Sequence, residues 1–273
     1  LLARYPERTG AMIEVIKSVD DLARQKWDVL VPTMGALHVG HQSLIKIAKT
    51  KGEKVLVSIF VNPLQFENNE DLVNYPKTLE QDINIAEAAG ATAIFVPNEQ
   101  TIYPGKIEKI SAGEIGNIFE GASRPEHFTG VLTVVKRLFD LVKPKAAVFG
   151  EKDFQQLFLI NQMVDKLKLP IEIISVPTIR EKNGLAISSR NIRLDKNGEK
   201  IAEVIYRALS QPMIEQMRSE ISKEPGFKLD YLEVIDETTF EMAKPDTKNK
   251  RAIIAGWVNQ LRLIDNIPMG MRQ

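Results

Sequence analysis

Trp27–Lys49 reads WDVLVPTMGALHVGHQSLIKIAK. Its first five residues form a short apolar run that stops at Pro32 and reads as a buried strand. Leu44, Ile47 and Ala48 then recur at helical spacing on a segment that closes near Gly52. Between the two lies the loop Thr33–His38, inside the dense stretch Pro32–His41, PTMGALHVGH. Strand, glycine-punctuated turn and helix together make the opening unit of an open α/β sheet. Such sheets bind ligands beyond the carboxyl ends of their strands.

The same alternation continues outward. Lys54–Val61 (KVLVSIFV) is β-branched and reads as a second strand, and Thr92–Val96 (TAIFV) as a third, with a helix striped by Leu79, Ile83 and Ala86 between them that stops at Gly90. Val131, Val134, Val135, Leu138 and Val142 mark a helix ended by Pro144, and Ala146–Phe149 is the next strand. Phe154, Leu157, Ile160, Val164 and Leu167 mark a helix ending at Pro170, followed by a fifth strand at Ile171–Val176. Alternating strands and helices imply right-handed crossovers and a parallel sheet covered on both faces. The spacing therefore predicts a doubly wound, Rossmann-like α/β domain over residues 12–176.

After Pro177 the pattern changes. Arg180–Arg193 is polar and irregular, Lys196–Ser222 is helical in pattern, and Asp230–Ile235, Arg251–Val258 and Leu261–Ile264 read as strands. This order predicts a smaller α+β domain over residues 177–273, hinged near residue 176. Residues 1–11 precede the first methionine, Met12, and read as an upstream extension or a vector remnant.

Composition narrows the function classes. The 273 residues carry 36 Lys+Arg against 36 Asp+Glu, so the basic excess of a nucleic-acid binder is absent. Without cysteine there is no disulfide scaffold, thiolate metal site or thiol nucleophile. No run approaches the ~18 apolar residues of a membrane span, and the N-terminus lacks an apolar signal core. The expectation is a soluble, cytoplasmic protein with neither nucleic acid nor membrane as partner.

In the 32–41 turn, Gly35 and Gly40 allow close approach of backbone to ligand. If Val39 opens the helix, His38 and His41 share a face of its first turn. Free N–H groups and the positive dipole end there attract phosphate, and an imidazole can donate to a phosphoryl oxygen that gains charge. No third ligand of suitable spacing accompanies the histidines, so no protein metal site is expected.

The H-x-G-H turn resembles the signature of the nucleotidyltransferase superfamily. Together with SIFVNPLQF (Ser58–Phe66), RPEHFTGVLTVV (Arg124–Val135), FGEKDFQQL (Phe149–Leu157), GLAISSRN (Gly184–Asn191), LDYLEVID (Leu229–Asp236) and LRLIDN (Leu261–Asn266), it resembles the pantothenate synthetase family from about Met12 to Asn266. The resemblance implies a ligase that joins (R)-pantoate to β-alanine with ATP as substrate, through a pantoyl-adenylate. Mg2+ would be held mainly by the ATP phosphates, and the chain would be a homodimer. It also implies that Met34, Gly35, Ala36, Leu37, His38, Val39, Gly40 and His41 line the ATP site. Gly150, Glu151, Lys152, Asp153, Ile179, Ile187, Ser188, Ser189 and Arg190 would complete it. Gln65 would hold pantoate and lie near β-alanine, and Gln156 would hold pantoate.

The residue chemistry agrees. Attack on an α-phosphorus gathers negative charge, so cations and donors must converge there. Lys152 supplies a mobile ammonium and Arg190 a planar fork, which with His38 and His41 make the expected catalytic set. Ser188 and Ser189 add hydroxyls on a loop able to close. Neutral Gln65 and Gln156 suit a carboxylate that must stay nucleophilic. Asn62 is expected to position the Pro63 turn, and Arg124 with His127 to form a structural or gating pair. Asp153 reads either as a ligand contact or as a helix N-cap, and Asp82 as a candidate outer contact for magnesium. Two departures from the family pattern stand out: Ile187 replaces the usual methionine, and the helical part near Ile201–Ser222 is short.

Overall fold

The computed structural model describes residues 13–66 and 72–270. Residues 1–11, read as an extension, lie outside the described residues. Six strands, β1 (Glu14–Ile16), β2 (Val29–Thr33), β3 (Val55–Ile59), β4 (Ala93–Phe95), β5 (Ala146–Gly150) and β6 (Glu172–Val176), pair in parallel in the order β1-β4-β3-β2-β5-β6. All five residues of β3 are buried, as a strand covered on both faces requires.

Side chains alternate across the sheet with period two. Val29, Val31, Val57 and Ile94 pack beneath Ile45 and Ala48 of helix α1 (Val39–Lys51) and Ile85 and Ala86 of α2 (Leu79–Ala89). Leu30, Leu56, Phe95 and Ala147 face the other way, onto Val131 and Leu138 of α3 (His127–Val142) and Ile160 of α4 (Phe154–Lys166). This is the doubly wound domain that the periodicity predicts.

Chain order reverses between β2 and β5, and there the sheet opens. β2 pairs with β3 from Val29–Val55 through Thr33–Ile59, and β5 with β6 from Ala146–Glu172 through Gly150–Val176. Between β2 and β5 the ladder holds only Val29–Ala146 and Leu30–Ala147. Beyond those pairs the carboxyl ends of the two strands frame the switch-point crevice.

The element bounds correct the sequence reading in three places. β1 is absent from that reading. β2 begins two residues later than the apolar run and continues through Pro32 to Thr33; Trp27 is buried before the strand, its indole N–H donating to the Leu22 carbonyl at 3.2 Å. The single helical stretch over Lys196–Ser222 is two helices, α5 (Lys196–Leu209) and α6 (Ile214–Ser222), parted at Pro212, a residue that lacks the N–H a helix interior needs.

The antiparallel sheet β7 (Phe227–Asp236), β8 (Lys250–Val258), β9 (Leu261–Met269) completes the C-terminal part. Its core joins Leu232, Ile254 and Leu263 to Val204, Ile205 and Met217 of the two helices. It meets the parallel-sheet part through buried charge: Arg262 pairs with Glu120 at 2.7 Å, Tyr231 donates its hydroxyl hydrogen to the same carboxylate at 3.0 Å, and Arg251 pairs with Glu151 at 3.1 Å.

Candidate active site

A cavity of ≈ 240 Å³ sits at the β2/β5 crevice. Of the expected residues it brings together Met34, His38, Gly40, His41, Gln65, Gly150, Lys152, Asp153, Gln156, Ile179, Ile187, Ser188, Ser189 and Arg190. Gly35, Ala36, Leu37, Val39 and Glu151 are not among its walls. Leu37 is in the core, Val39 is 48% exposed, and Glu151 is taken up by Arg251. A turn that winds into a helix shows only part of its length to one side, so a contiguous motif overcounts the wall.

The turn is pinned from behind. Asp82 accepts the Leu37 N–H at 2.7 Å and the Ala36 N–H at 3.0 Å, and Thr33 Oγ1 accepts the Gly35 N–H at 3.2 Å. Ala36 sits at φ 51, a left-handed conformation that costs a residue with a Cβ roughly 1–2 kcal/mol. The Asp82 carboxylate thereby gives both oxygens to the turn's backbone and orders the loop.

Val39 does open α1, with His38 as N-cap. His38 Nδ1 accepts the Gly40 N–H at 3.1 Å, and the His38 N–H donates to His41 Nδ1 at 3.2 Å. An Nδ1 that accepts cannot carry a proton, so in both rings the proton resides on Nε2. Burial, reinforced by nearby Lys152, lowers the pKa of His38 to about 4; burial, reinforced by His38, lowers that of His41 to about 3. Both imidazoles line the cavity as neutral Nε2–H donors at a helix N-terminus. A Cβ at Gly40 would stand 2.9 Å from the His38 ring, so a larger residue there would have to move that imidazole.

Gln65 is buried on the turn Pro63–Gln65. Asn62 caps that turn through the Leu64 N–H and donates its amide to Gln65 Oε1 at 3.1 Å, while Tyr103 donates its hydroxyl hydrogen to Asn62 Oδ1 at 2.7 Å. With Oε1 occupied, Gln65 presents its amide hydrogens toward Met34 Sδ, 3.0 Å away, and the cavity. Arg124 and His127 both reach the Gln65 carbonyl, at 3.4 and 2.9 Å. Since a carbonyl only accepts, His127 carries its proton on Nδ1. Burial and the Arg124 charge lower its pKa to about 3. The pair holds the Gln65 turn, as a structural pair should.

Asp153 occupies the N-cap position of α4 without a capping hydrogen bond; the surface it exposes belongs to the cavity wall. Burial alone would raise its pKa, but the positive charges of Lys152, then Arg190 and Arg124, outweigh it and hold the carboxyl below its ordinary value. Tyr75 escaped the sequence reading. It lines the cavity, its hydroxyl bonds Ser189, and burial raises its pKa. The available signal was an aromatic next to Pro76 in an otherwise polar stretch.

The pattern of the pantoate-beta-alanine ligase family matches residues 8–268. Pantothenate synthetase of Mycolicibacterium smegmatis is 45% identical over 251 residues, covering 88% of this chain and 79% of that protein. The Vesicomyosocius okutanii pantothenate synthetase is 44% identical over 267 residues, covering 93% of this chain and 94% of that one. Among solved structures, pantothenate synthetase from Thermus thermophilus superposes with a TM-score of 0.90 at 38% identity, covering 95% of this chain and 100% of that chain. Pantoate-beta-alanine ligase from Francisella tularensis, complexed with beta-gamma ATP and beta-alanine, gives 0.80 at 39% identity, with 93% and 97% covered.

Proposed function

The chain belongs to the pantoate-beta-alanine ligase family, and from that premise we propose how its cavity performs the family's reaction. The enzyme condenses pantoate with β-alanine at the expense of ATP, yielding pantothenate, AMP and pyrophosphate through a pantoyl-adenylate.

The observation that carries the assignment of roles is the convergence of four groups on one cavity: the Nε2–H donors of His38 and His41, the Lys152 ammonium and the Arg190 guanidinium. In the first step a pantoate carboxylate oxygen bonds to the α-phosphorus and the bond to pyrophosphate breaks. Negative charge grows on the phosphoryl oxygens, and preorganised donors and cations stabilise it there. Neutral histidines suit this role, since a neutral imidazole donates its Nε2–H hydrogen bond while keeping the proton. Gln65 and Gln156 hold pantoate through amides, which leave its carboxylate free to attack. Met34, Ile179 and Ile187 supply the apolar part of the nucleotide site, and isoleucine serves at 187 as a methionine would. In the second step the neutral amine of β-alanine bonds to the acyl carbon, the bond from that carbon to the phosphate oxygen breaks so that AMP departs, and the nitrogen gives up one proton to solvent.

The donor set fits a magnesium ion that arrives on the triphosphate. Among the described residues no cluster of three ligating side chains exists, and Asp153 is the sole carboxylate of the cavity wall. Asp153 is the side chain that could hold it, and bound with ATP the ion would supply charge neutralisation at the phosphates, a mode in which few protein ligands are needed.

The domain boundary belongs to the same proposal: it falls after Val176, where the parallel sheet ends. A homodimer in the cytoplasm rests on the family resemblance alone, and sedimentation of the purified chain tests the former. No helix of the described residues is long and apolar enough to cross a membrane.

Reaction order provides the test. Pantoate and ATP alone should drive exchange of labelled pyrophosphate into ATP, and AMP should accumulate catalytically only when β-alanine is added. Exchange that needs β-alanine, or ADP and phosphate as products, overturns the adenylate route.

A further inference from the structure

Adjacent residues on β9 hold two separate parts of the cavity. Asp265 and Asn266 are 4% exposed each, in the antiparallel sheet and outside the crevice. Asp265 takes Arg180 in a two-pronged pair, and Arg180 continues to the Gly184 carbonyl at 3.1 Å. Arg180 and Ala186 bridge the hairpin whose next residues are Ile187–Arg190. Asn266 reaches the other part. Its Nδ2 donates to the Glu151 carbonyl at 2.9 Å and to the Lys152 carbonyl at 2.8 Å. Its Oδ1 accepts from Arg251, whose guanidinium also pairs with Glu151 and lies 4.0 Å over the Phe154 ring.

The amide of Asn266 is thus fully committed: both hydrogens go to the backbone of the Lys152 turn, and the oxygen to a buried arginine. The amide thereby ties the Glu151 and Lys152 carbonyls to β9. Only an asparagine-sized amide does this. An aspartate would set negative oxygens against two carbonyls, and an alanine would remove the bonds that both carbonyls and the Arg251 Nη1 make to this side chain.

We propose that Asn266 is a positioning residue for adenylation, which holds the Lys152 backbone where its ammonium meets the nucleotide. This rests on the reading of Lys152 as a cation for the transition state. It makes the C-terminal sheet a part of the ATP site that contributes no atom to it.

A double-mutant cycle on pyrophosphate–ATP exchange tests the idea in the full-length chain. Asn266→Ala should lower kcat about 10- to 100-fold with little change in the KM for pantoate, as expected when a reacting group is displaced by about 1 Å. In a Lys152→Ala background the same substitution should cost less than about 2-fold, because it acts through a side chain already removed. Arg251→Met keeps packing over Phe154 and leaves Asn266 in place; it should give the same non-additive pattern at smaller amplitude, and it serves if Asn266→Ala folds poorly. Full additivity with Lys152→Ala would make Asn266 merely structural and overturn the proposal while leaving Lys152 its role. A fully active Lys152→Ala enzyme would instead remove the reading on which the proposal stands.

Discussion

His41 Nδ1 accepts the main-chain N–H of His38 at 3.2 Å, so one ring both caps the helix and has its proton sent to the other nitrogen. Capping and donation therefore reside on different atoms of His41 and can be separated by substitution.

Asparagine can imitate Nδ1, and glutamine can imitate Nε2. His41→Asn should keep the cap, with a stability loss under about 1 kcal/mol, and lose adenylation by about 10²–10³-fold. His41→Gln should be the less stable but more active of the two. Thermal melts and exchange rates, measured together, check this; the reverse ranking in activity would place the needed atom at Nδ1.

Acid should unfold the protein through its histidines. Below pH 6.5 an unfolded histidine binds a proton, whereas the folded pKa values lie at about 4 for His38 and about 3 for His41 and His127. The unfolded state binds more protons in that window, so this stability is complete above pH 6.5 and falls as pH drops. Urea midpoints at pH 7.5, 6.5 and 5.5 should decline, and His127→Gln should flatten the decline. A midpoint constant down to pH 5.5 contradicts the buried neutral rings.

Gly130→Ala should damage the pantoate end of the cavity. A Cβ there would meet the Leu64 carbonyl oxygen at 2.2 Å and the Gln65 nitrogen at 2.8 Å, pushing α3 off the turn that carries Gln65. We expect a loss of about 1–3 kcal/mol and a raised KM for pantoate, with the KM for ATP less affected. Gly150→Ala, whose methyl would meet only Leu44 Cδ2 at 3.8 Å, should leave the melting temperature nearly unchanged. Equal melting temperatures for the two variants would refute the packing argument.

Arg190→Lys retains charge and loses the planar fork. Adenylation should fall clearly while the melting temperature stays put, since Arg190 lies on the cavity wall and outside the core. Full activity with lysine would mean that charge alone suffices.

Elements with strong local periodicity were legible. α1, α2, α3 and α4 emerge from apolar spacing, and β3 from β-branched residues, because burial against a sheet imposes those patterns directly. β1 spans Glu14–Ile16, too short for a period to register. β2 was displaced because Trp27 is apolar for the sake of the core and not of the ladder, while Pro32 is tolerated where the pairing to β5 has already stopped. The histidine turn could be found from its residues, yet which of them face inward depends on the winding of α1. Pairings such as Asp82 with Ala36, or Asn266 with Lys152, link positions far apart in sequence. Such bonds follow from the topology, and a single chain read from end to end carries no mark of them.

Stopping the β2–β5 ladder at Leu30 and Ala147 divides the sheet into two slabs, each internally complete and joined along a short seam. A nucleotide seated as proposed, over that seam, would touch both slabs and serve as mortar where backbone rungs are missing. Substrate occupancy and cohesion of the molecule are consequently coupled by mass action. Heat resistance recorded on the empty protein understates the durability of the same chain at work among plentiful ATP.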